Sequence, residues 1–251
     1  MVIGIDASRA DKKIKTGTEW YSYFLIEELK KISAGCEHKI ILYSREPLHG
    51  DLAKLPANWE NKILKWPPKY LWTNVRLSLE MLFNPPDVLF IPAHSVPLIH
   101  AKNTVVTWHD IGFEKFKHLY TPQAYWYHKW TVRYSLKFAK KVIVISEFTK
   151  NEILGLFKIP AEKMAVVYNG YDDNKFNSSI DKNKIAETLE KYKIFSPYLF
   201  FVGRLEEKKN IAGLVNAFAK LRESTQIGER IDAAEKIPLN PPLQQGEIKL
   251  V

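Results

Sequence analysis

The sequence has very little cysteine and no long hydrophobic run, and both shortages restrict what the protein is expected to be. Cys36 is the single cysteine among 251 residues. A disulfide framework is therefore excluded, and a reducing cytoplasm is the expected environment. No apolar stretch reaches the roughly 18–20 residues that a membrane-spanning helix needs. The opening residues Met1–Asp6 are typical of a β-strand rather than of a signal peptide.

Patterns that bind metals or recognise nucleic acids are also missing. The histidines form no H-x-x-x-H pair, and therefore neither a metal nor another cofactor is expected. Acidic residues are in the minority, since 28 Asp and Glu against 37 Lys and Arg leave a formal net charge of +9. This charge favours anionic partners such as nucleotide diphosphates or acidic lipid headgroups. Nucleic acid is not an expected partner, because no helix-turn-helix, zinc-finger or RNP pattern accompanies the charge.

What the sequence does contain is a regular alternation of short apolar runs with helical stretches. A first helix is predicted after Thr16, because apolar residues recur at helical spacing from Tyr21 to Ile32. The predicted strands are Val2–Ile5, Lys39–Tyr43, Val88–Ile91, Thr104–Thr107, Lys141–Ile145 and Met164–Val167. Strands separated by helices predict an α/β fold with a doubly wound, mostly parallel sheet.

Polar residues cluster at the expected carboxyl ends of these strands, which is where parallel sheets bind ligands. They are Asp6, Gly17, His94, His109, Asp110, Ser146, Glu147 and Asn169. Their convergence on one edge of the sheet predicts a binding or active site there.

Several of these residues also have a purely structural interpretation. Gly17 lies either in a ligand-binding loop or in a glycine turn beside a helix N-cap. His109 either contacts a ligand or is a hydrogen-bonded histidine at a strand end. Asp110 fits a turn cap and Ser146 fits the N-cap of a helix beginning at Glu147. A catalytic serine is not favoured, because no Gly-x-Ser-x-Gly elbow surrounds Ser146.

A second candidate site lies further along the chain, in residues 198–210. Tyr198–Gly203 is predicted to be a buried strand, followed by a Gly-Arg turn and an amphipathic helix that runs to Arg222. Arg204 and Lys209 are expected near the N-terminus of this helix. Backbone N–H groups together with two cations make such a place suitable for a diphosphate.

A basic and aromatic helix is predicted between Thr121 and Lys141. Four aromatic residues recur at helical spacing and are expected to face the sheet: Tyr127, Trp130, Tyr134 and Phe138. A second stripe consists of Lys129, Arg133, Lys137 and Lys140. It is either a solvated basic face or a surface that rests on an anionic membrane. The aromatic stretch Trp59–Trp72 is either a mobile acceptor loop or packing at the domain edge.

Five motifs, taken in their order along the chain, resemble family-four (group 1) glycosyltransferases of the GT-B fold. They are the glycine loop after the first strand, Trp108-His109-Asp110, Val144–Thr149, Val167–Gly170 and Gly203–Asn210. Each motif alone is weak, whereas five in order at suitable separations are specific. The resemblance runs from about residue 1 to residue 223.

The resemblance implies two Rossmann-like domains, an N-terminal one for the acceptor and a C-terminal one for the nucleotide sugar, with the active site between them. It implies that Gly17 approaches the donor phosphates and that His109, the catalytic histidine, contacts the transferred sugar. Arg204 and Lys209 match the pair that neutralises the diphosphate. Members of this family retain the anomeric configuration, generally without a metal. The remaining residues expected to line the acceptor side of the cleft are Asp110, Ser146, Glu147 and Asn169.

The predicted organisation follows from this resemblance. An acceptor-side domain covers residues 1–175, a linker covers 176–196, and the first strand and helix of the donor-binding domain cover 197–223. A Pro-containing flexible segment is predicted over 224–246 and the start of a strand over 247–251. No Glu-x7-Glu pair, the family's motif for the donor sugar and ribose, follows the Gly-Arg turn. The chain is therefore predicted to be C-terminally truncated and inactive on its own.

The leading hypothesis is a hexosyltransferase that moves a sugar from a nucleotide sugar to a glycan or a lipid-linked acceptor. Its expected pathway is cell-envelope polysaccharide or glycolipid synthesis, in the cytoplasm or at the inner face of the membrane. One alternative is a non-catalytic module that uses the basic stripe to bind a membrane surface or a polyanion. Another is a sugar epimerase on the same fold.

Overall fold

A computed structural model describes residues 1–68, 70–93, 95–177, 179, 181–195 and 198–224. The chain forms two compact units, Met1–Gly170 and Tyr171–Val251. The predicted flexible segment after residue 224, the strand predicted over 247–251 and the candidate His94 lie outside the described residues.

The first unit is built on one seven-stranded sheet. Its strands are β1 (Val2–Asp6), β2 (Lys39–Ser44), β3 (Trp59–Ile63), β4 (Val88–Ile91), β5 (Thr104–Trp108), β6 (Lys141–Val144) and β7 (Met164–Val166). The strand order is β3-β2-β1-β4-β5-β6-β7, and every neighbouring pair is parallel. This confirms the predicted α/β fold with a doubly wound parallel sheet.

Helices connect the strands, as parallel pairing requires. Within the first unit they are α1 (Gly17–Ser33), α2 (Ser78–Phe83), α3 (Pro122–Phe138) and α4 (Glu147–Leu156). A π-helix, Trp72–Leu77, leads directly into α2.

Strand β3 is an element that the sequence pattern does not reveal. Its central residues are Glu60, Asn61 and Lys62, which leave no apolar alternation. β3 is the outer strand of the sheet and has β2 as its one partner among the described strands. Its polar side chains form ion pairs. Lys39 Nζ lies 2.9 Å from a carboxylate oxygen of Glu60. This strand can therefore be polar because it lies at the edge of the sheet, where its side chains do not have to be buried.

Two hydrophobic clusters cover opposite faces of the sheet. Adjacent residues of β2 belong to different clusters, Leu42 to one and Tyr43 to the other, because successive side chains of a strand point to opposite faces. Helix α1 contributes Ile26 to the first of these clusters. Helix α3 contributes Val132 and Leu136 to the second.

The expectation that the aromatic stripe of α3 faces the sheet is wrong for Tyr127, Trp130 and Phe138, which are exposed, and only Tyr134 packs against the core cluster. The buried residues of this helix are Thr131, Val132, Ser135 and Leu136. Small hydroxyl residues can lie at this close contact because their polar groups are satisfied there. Thr131 donates to the main-chain oxygen of Tyr127 over 2.8 Å, and Ser135 accepts from the N–H of Val96 over 3.2 Å. The rings of Tyr127, Trp130 and Phe138 lie one step around the helix and are between 41% and 45% exposed, whereas Tyr134 is half-buried and packs against the core cluster.

The aromatic stretch after β2 packs against the domain at both of its ends. Trp59 and Trp72 are each buried, and the indole N–H of Trp72 donates to the main-chain oxygen of Leu64 over 2.9 Å. These two tryptophans therefore follow the packing alternative. Tyr70 and Leu71 are exposed between them, and Leu71 has a positive φ of 64°.

The described residues of the second unit form two α-helices, α5 (Lys182–Lys191) and α6 (Ile211–Ser224). Helix α5 lies within the predicted linker and begins after Asp181, whose side chain accepts from the N–H of Asn183 over 2.9 Å. The predicted buried strand at Tyr198–Gly203 is not formed. Residues 198–202 have no ladder partner within the described part of the chain, and Phe200 and Val202 are more than half exposed. A strand is stable only beside another strand, which explains the difference.

Candidate functional site

The candidate site lies at the carboxyl edge of the sheet, at the point where the strand order reverses. β1 and β4 are neighbours there, although the chain forms β2 and β3 before it reaches β4. Connections on either side of such a point diverge and leave a crevice in which open α/β sheets bind ligands. The loop after β1, Pro92 after β4 and His109 after β5 lie at this edge.

The imidazole of His109 is buried and held in a defined orientation. Its Nε2 lies 3.1 Å from the main-chain oxygen of Pro92. Since a carbonyl only accepts, this nitrogen carries the proton. The ring of Tyr21 packs edge-on against the imidazole, with 4.6 Å between the ring centroids. Burial lowers the pKa of His109 below its ordinary value, and the ring is consequently neutral at neutral pH.

The main chain at His109 is held as well. Thr149 Oγ1 donates to the main-chain oxygen of His109 over 3.3 Å, which ties the end of β5 to the first turn of α4. The geometry includes the hydrogen bond that the structural interpretation of His109 requires. Contact with a sugar stays a prediction for this residue.

Gly17 is the first residue of α1 and lies beside a well-formed helix cap. The carboxylate of Glu19 accepts from the N–H of Thr16 over 3.1 Å and from the Thr16 hydroxyl. Arg9 Nη1 is 3.2 Å from the same carboxylate group. A Cβ added at Gly17 would meet no heavy atom within 4 Å. Open space therefore remains where the first turn of α1 faces outward.

The first turn of α1 and His109 are brought together by Tyr21. Tyr21 lies one helical turn after Gly17 on the same helix, and side chains at this spacing share a face. Its ring contacts His109, and its hydroxyl is 3.4 Å from Thr107 Oγ1. A helix N-terminus, which favours anions, thus lies close to a buried neutral histidine.

The other predicted cleft residues have mainly local partners. Asp110 Oδ1 accepts from the N–H of Gly112 over 2.9 Å, and Ser146 Oγ accepts from the N–H of Thr149 over 3.1 Å. Both bonds agree with the capping interpretations. Glu147 is exposed and lies 3.7 Å from Lys150 Nζ. Asn169 is exposed after β7.

A polar pocket of about 230 Å³ lies beside this site, over the carboxyl ends of β1 and β2. Its basic side chains are Lys12, Lys13 and Arg45. Two acidic side chains, Asp11 and Glu46, also line it. Asp11 holds His49, with 2.8 Å between Oδ2 and Nδ1. The pocket therefore offers hydrogen-bond donors and acceptors, and charges of both signs, to a polar group. No cluster of metal-ligating side chains occurs among the described residues.

Sequence reasoning missed Tyr21, Pro92 and Thr149 as parts of this site. Tyr21 belongs to the apolar pattern that predicts α1, and the sequence singles out Thr149 only as the end of the Val144–Thr149 motif. Pro92 contributes a main-chain oxygen, and a side-chain motif therefore could not identify it. A usable signal was the position of Pro92 directly after a strand, next to the strand that precedes His109.

The predicted diphosphate pair belongs to the second unit. Arg204 is exposed and its Nη1 lies 2.9 Å from a carboxylate oxygen of Glu206. Lys209 ends a short 3-10 turn, and Asn210 follows it with a positive φ of 50° before α6 begins. Both cations therefore precede the first residue of α6.

The four members of the predicted basic stripe have different surroundings. Lys129 is half-buried, lies 3.4 Å from a carboxylate oxygen of Glu114 and donates to the hydroxyl of Tyr125 over 2.9 Å. Lys140 donates to Asn103 Oδ1 over 2.8 Å. The other two members, Arg133 and Lys137, are exposed. None of the helices in the described ranges is long and apolar enough to cross a bilayer.

Two curated relatives are similar to parts of this chain. O-antigen chain mannosyltransferase B of Escherichia coli is 26% identical over 127 residues, which are 50% of this chain and 33% of the relative. O-antigen chain mannosyltransferase RfbU of Salmonella typhimurium is 24% identical over 155 residues, 61% of this chain and 38% of the relative. The aligned part of the chain is therefore about a third of the length of these relatives.

Solved structures show the same fold. HepE from Anabaena, in complex with UDP-glucose, has a TM-score of 0.55 at 17% identity over 87% of this chain and 57% of its own. Sucrose-phosphate synthase from Thermosynechococcus elongatus has a TM-score of 0.55 at 14% identity over 88% of this chain and 60% of its own. The fold is accordingly that of the GT-B glycosyltransferases. The family model for Glycosyltransferase Family 4 matches residues 15–175, more than half of the sequence, and the chain belongs to this family.

Proposed function

We propose that this chain takes part in a retaining glycosyl transfer from a nucleotide-diphosphate sugar to a glycan or glycolipid. The observation that carries the proposal is the meeting of the first turn of α1 with buried His109 at the reversal point of the sheet. Family membership supports it, as does the complex of HepE with UDP-glucose. The O-antigen mannosyltransferase relatives support a glycan acceptor in the cell envelope.

The geometry of the first unit supports the roles that we assign to its residues. Gly17 lets the donor phosphates approach the N-terminus of α1, because the position that a Cβ would take there is open space within 4 Å. His109 contacts the transferred sugar with a neutral imidazole whose orientation Pro92 and Tyr21 hold. A ring fixed in this way does not have to reorganise when the sugar begins to leave the donor.

In the second unit, Arg204 and Lys209 neutralise the departing diphosphate. The leaving group gathers negative charge as the bond to the sugar breaks, and preorganised cations stabilise that charge. These two cations replace the divalent ion that many sugar transferases use, and the proposed reaction needs no metal or other cofactor.

The acceptor side of the reaction is assigned to the pocket next to β1 and β2. Lys12, Lys13 and Arg45 line it together with the carboxylates of Asp11 and Glu46, and this mixed polar lining suits an acceptor that carries hydroxyl or phosphate groups. The candidate cleft residues on the other side of His109 are Asp110, Ser146, Glu147 and Asn169. We place the reaction in the cytoplasm, at the inner face of an anionic membrane where glycolipid acceptors are found.

The 251-residue polypeptide alone is expected to bind its donor weakly and to turn over little. The sequence after the Gly-Arg turn has no Glu-x7-Glu pair to hold the donor sugar and ribose. Phosphate contacts alone leave most of the donor without specific partners, and the binding energy available for catalysis is correspondingly small.

Ligand-detected NMR on the purified chain tests the donor assignment. We expect saturation transfer to UDP-glucose or GDP-mannose, with affinity reduced at least about tenfold in the Arg204→Ala/Lys209→Ala variant. The control is Lys208→Ala, which removes a neighbouring cation that lies 3.1 Å from Glu206. Absence of nucleotide-sugar binding, or equal losses in both variants, contradicts the proposal. Enzyme-like transfer rates from the purified chain would contradict only its expected inactivity.

A further inference from the structure

The outer face of α3 presents aromatic rings to solvent. Trp126 is 61% exposed and Trp130 is 45% exposed. Trp130 stacks on Tyr134 with 5.4 Å between ring centroids, and Tyr134 contacts Phe138 at 4.5 Å. Trp130, half-buried Tyr134 and Phe138 therefore form a run of ring contacts along the helix, and Trp126 lies one helical turn before Trp130. We name these four residues the aromatic ladder (Trp126, Trp130, Tyr134, Phe138).

Basic residues without acidic neighbours on the same helix accompany this ladder. The 17 residues of α3 include no Asp or Glu. Arg133 and Lys137 are exposed and lie one helical turn apart, directly beside the ladder. Lys137 Nζ is 5.1 Å from the centroid of the Phe138 ring. The two cations thus lie beside aromatic rings, and not on a helix face that carries both acidic and basic side chains.

A pocket of about 460 Å³ opens next to these cations, between the C-terminal turns of α3 and α4. Four basic side chains line it: Arg133, Lys137, Lys158 and Lys163. None of its nine described lining residues carries a carboxylate, and Leu136 and Phe157 contribute apolar contacts. We call it the basic pocket.

The basic pocket has a defined structure on its inner side. Lys163 Nζ donates to the main-chain oxygen of Lys137 over 2.8 Å, which fixes this ammonium group at the C-terminal end of α3. Burial lowers the pKa of Lys163, and the charged ammonium would therefore gain from a nearby anion. The pocket lies towards the amino edge of the sheet, since it adjoins the chain just before β7.

We propose that the basic pocket binds the phosphate of an anionic membrane lipid while the aromatic ladder lies in the headgroup region of the same bilayer. This inference rests on the membrane association proposed above and identifies the surface and the lipid group responsible. Trp and Tyr rings are enriched at membrane interfaces, and Lys and Arg side chains extend from such positions towards phosphates. A protein partner would require complementary carboxylates, whereas a bilayer supplies phosphates and an apolar boundary together.

Vesicle co-sedimentation with the full chain tests the proposal. Vesicles of phosphatidylcholine are compared with vesicles of phosphatidylcholine mixed with phosphatidylglycerol. We expect binding to the mixed vesicles and much weaker binding to phosphatidylcholine alone. Each cation near an anionic surface changes membrane affinity about fivefold. Arg133→Glu/Lys158→Glu should therefore lower the affinity at least about 25-fold, and Trp126→Ser/Trp130→Ser at least about fivefold.

The matched control is Lys31→Glu/Lys54→Glu, which changes the net charge equally. Both lysines are exposed and ion-paired near α1, which packs on the other face of the sheet from α3. Circular dichroism checks that all variants are folded.

Equal losses in the test and control pairs would overturn the surface assignment, and no binding by the unmodified chain would overturn the association itself. The tryptophan variant could instead abolish self-association in solution and leave vesicle binding unchanged. That result would show that the aromatic ladder contacts a second copy of the chain and not the bilayer. Because no sugar transfer is measured, none of these results depends on the proposed reaction.

Discussion

At the scale of single residues, the position of His109 could be predicted but its environment could not. The sequence places it directly after an apolar strand, and such strand ends collect functional side chains. Its partners Pro92 and Tyr21 come from parts of the chain that the sequence does not connect with it. Pro92 comes close because β4 pairs with β5. Tyr21 comes close because the first turns of α1 lie beside the end of β5, where the Tyr21 ring contacts His109.

The buried state of His109 leads to a prediction about stability and pH. Burial lowers its pKa in the folded protein, so the unfolded chain takes up a proton first as the pH falls. The contribution to the unfolding free energy is fully present above about pH 6.5 and is lost as the pH falls towards the folded pKa. Urea unfolding at several pH values should show a steeper loss for the native chain than for His109→Gln.

The glutamine variant is a suitable reference because its amide can donate to Pro92 and does not titrate. His128, whose pKa burial also lowers, contributes equally to both proteins and cancels in the difference. The charges that influence His109 come from Asp110, Arg9 and Glu19, and they too are present in both. Parallel curves for the two proteins between pH 7 and 5 would show that His109 does not titrate as its burial requires.

At the scale of elements, apolar periodicity identified six of the strands but misassigned the buried face of α3. Helical spacing groups residues into stripes without stating which stripe is inside. The aromatic stripe had the larger hydrophobic surface, yet the smaller residues on the neighbouring stripe permit closer packing on the sheet. Ring size and the hydroxyls of Thr131 and Ser135 decide the orientation.

Two substitutions on α3 distinguish the inner from the outer face. Leu136 is almost completely buried, and Leu136→Ala should lower the unfolding free energy by about 2–5 kcal/mol. Trp126→Ala removes a larger side chain that is 61% exposed and should cost less than about 1 kcal/mol. Chemical denaturation of both variants measures the two values. The reverse order would place the aromatic ladder in the core.

At the scale of the whole molecule, the boundary between the two units separates two kinds of structure. All seven described strands lie within Met1–Gly170, and Met164 is the last buried hydrophobic residue of the described chain. The second unit has helices and an extended segment with exposed apolar side chains. The apolar run at Tyr198–Gly203 predicts a strand from its composition. A strand also needs a neighbouring strand to pair with, and composition does not show whether one is present.

We therefore expect residues 1–175 to fold when they are produced alone. Both hydrophobic clusters are contained in this fragment, and cooperative unfolding depends on an intact core. Guanidinium titration followed by tryptophan fluorescence should give one sharp transition, with a midpoint close to that of the first transition of the full chain. A broad transition without a folded baseline would show that the fragment depends on later residues.

The reversal of strand order between β1 and β4 has a consequence for the time course of folding. Pairing of Ile3 with Val88 joins residues far apart in the chain, whereas β4 to β7 are added in sequence order. Contacts between distant residues form slowly, because a long loop must close first. We expect strands β4 to β7 to pair early during folding, and the pairing of β1 with β4 to form later. Gly17 follows β1 and His109 follows β5, which makes the candidate site one of the last features to appear as the chain folds.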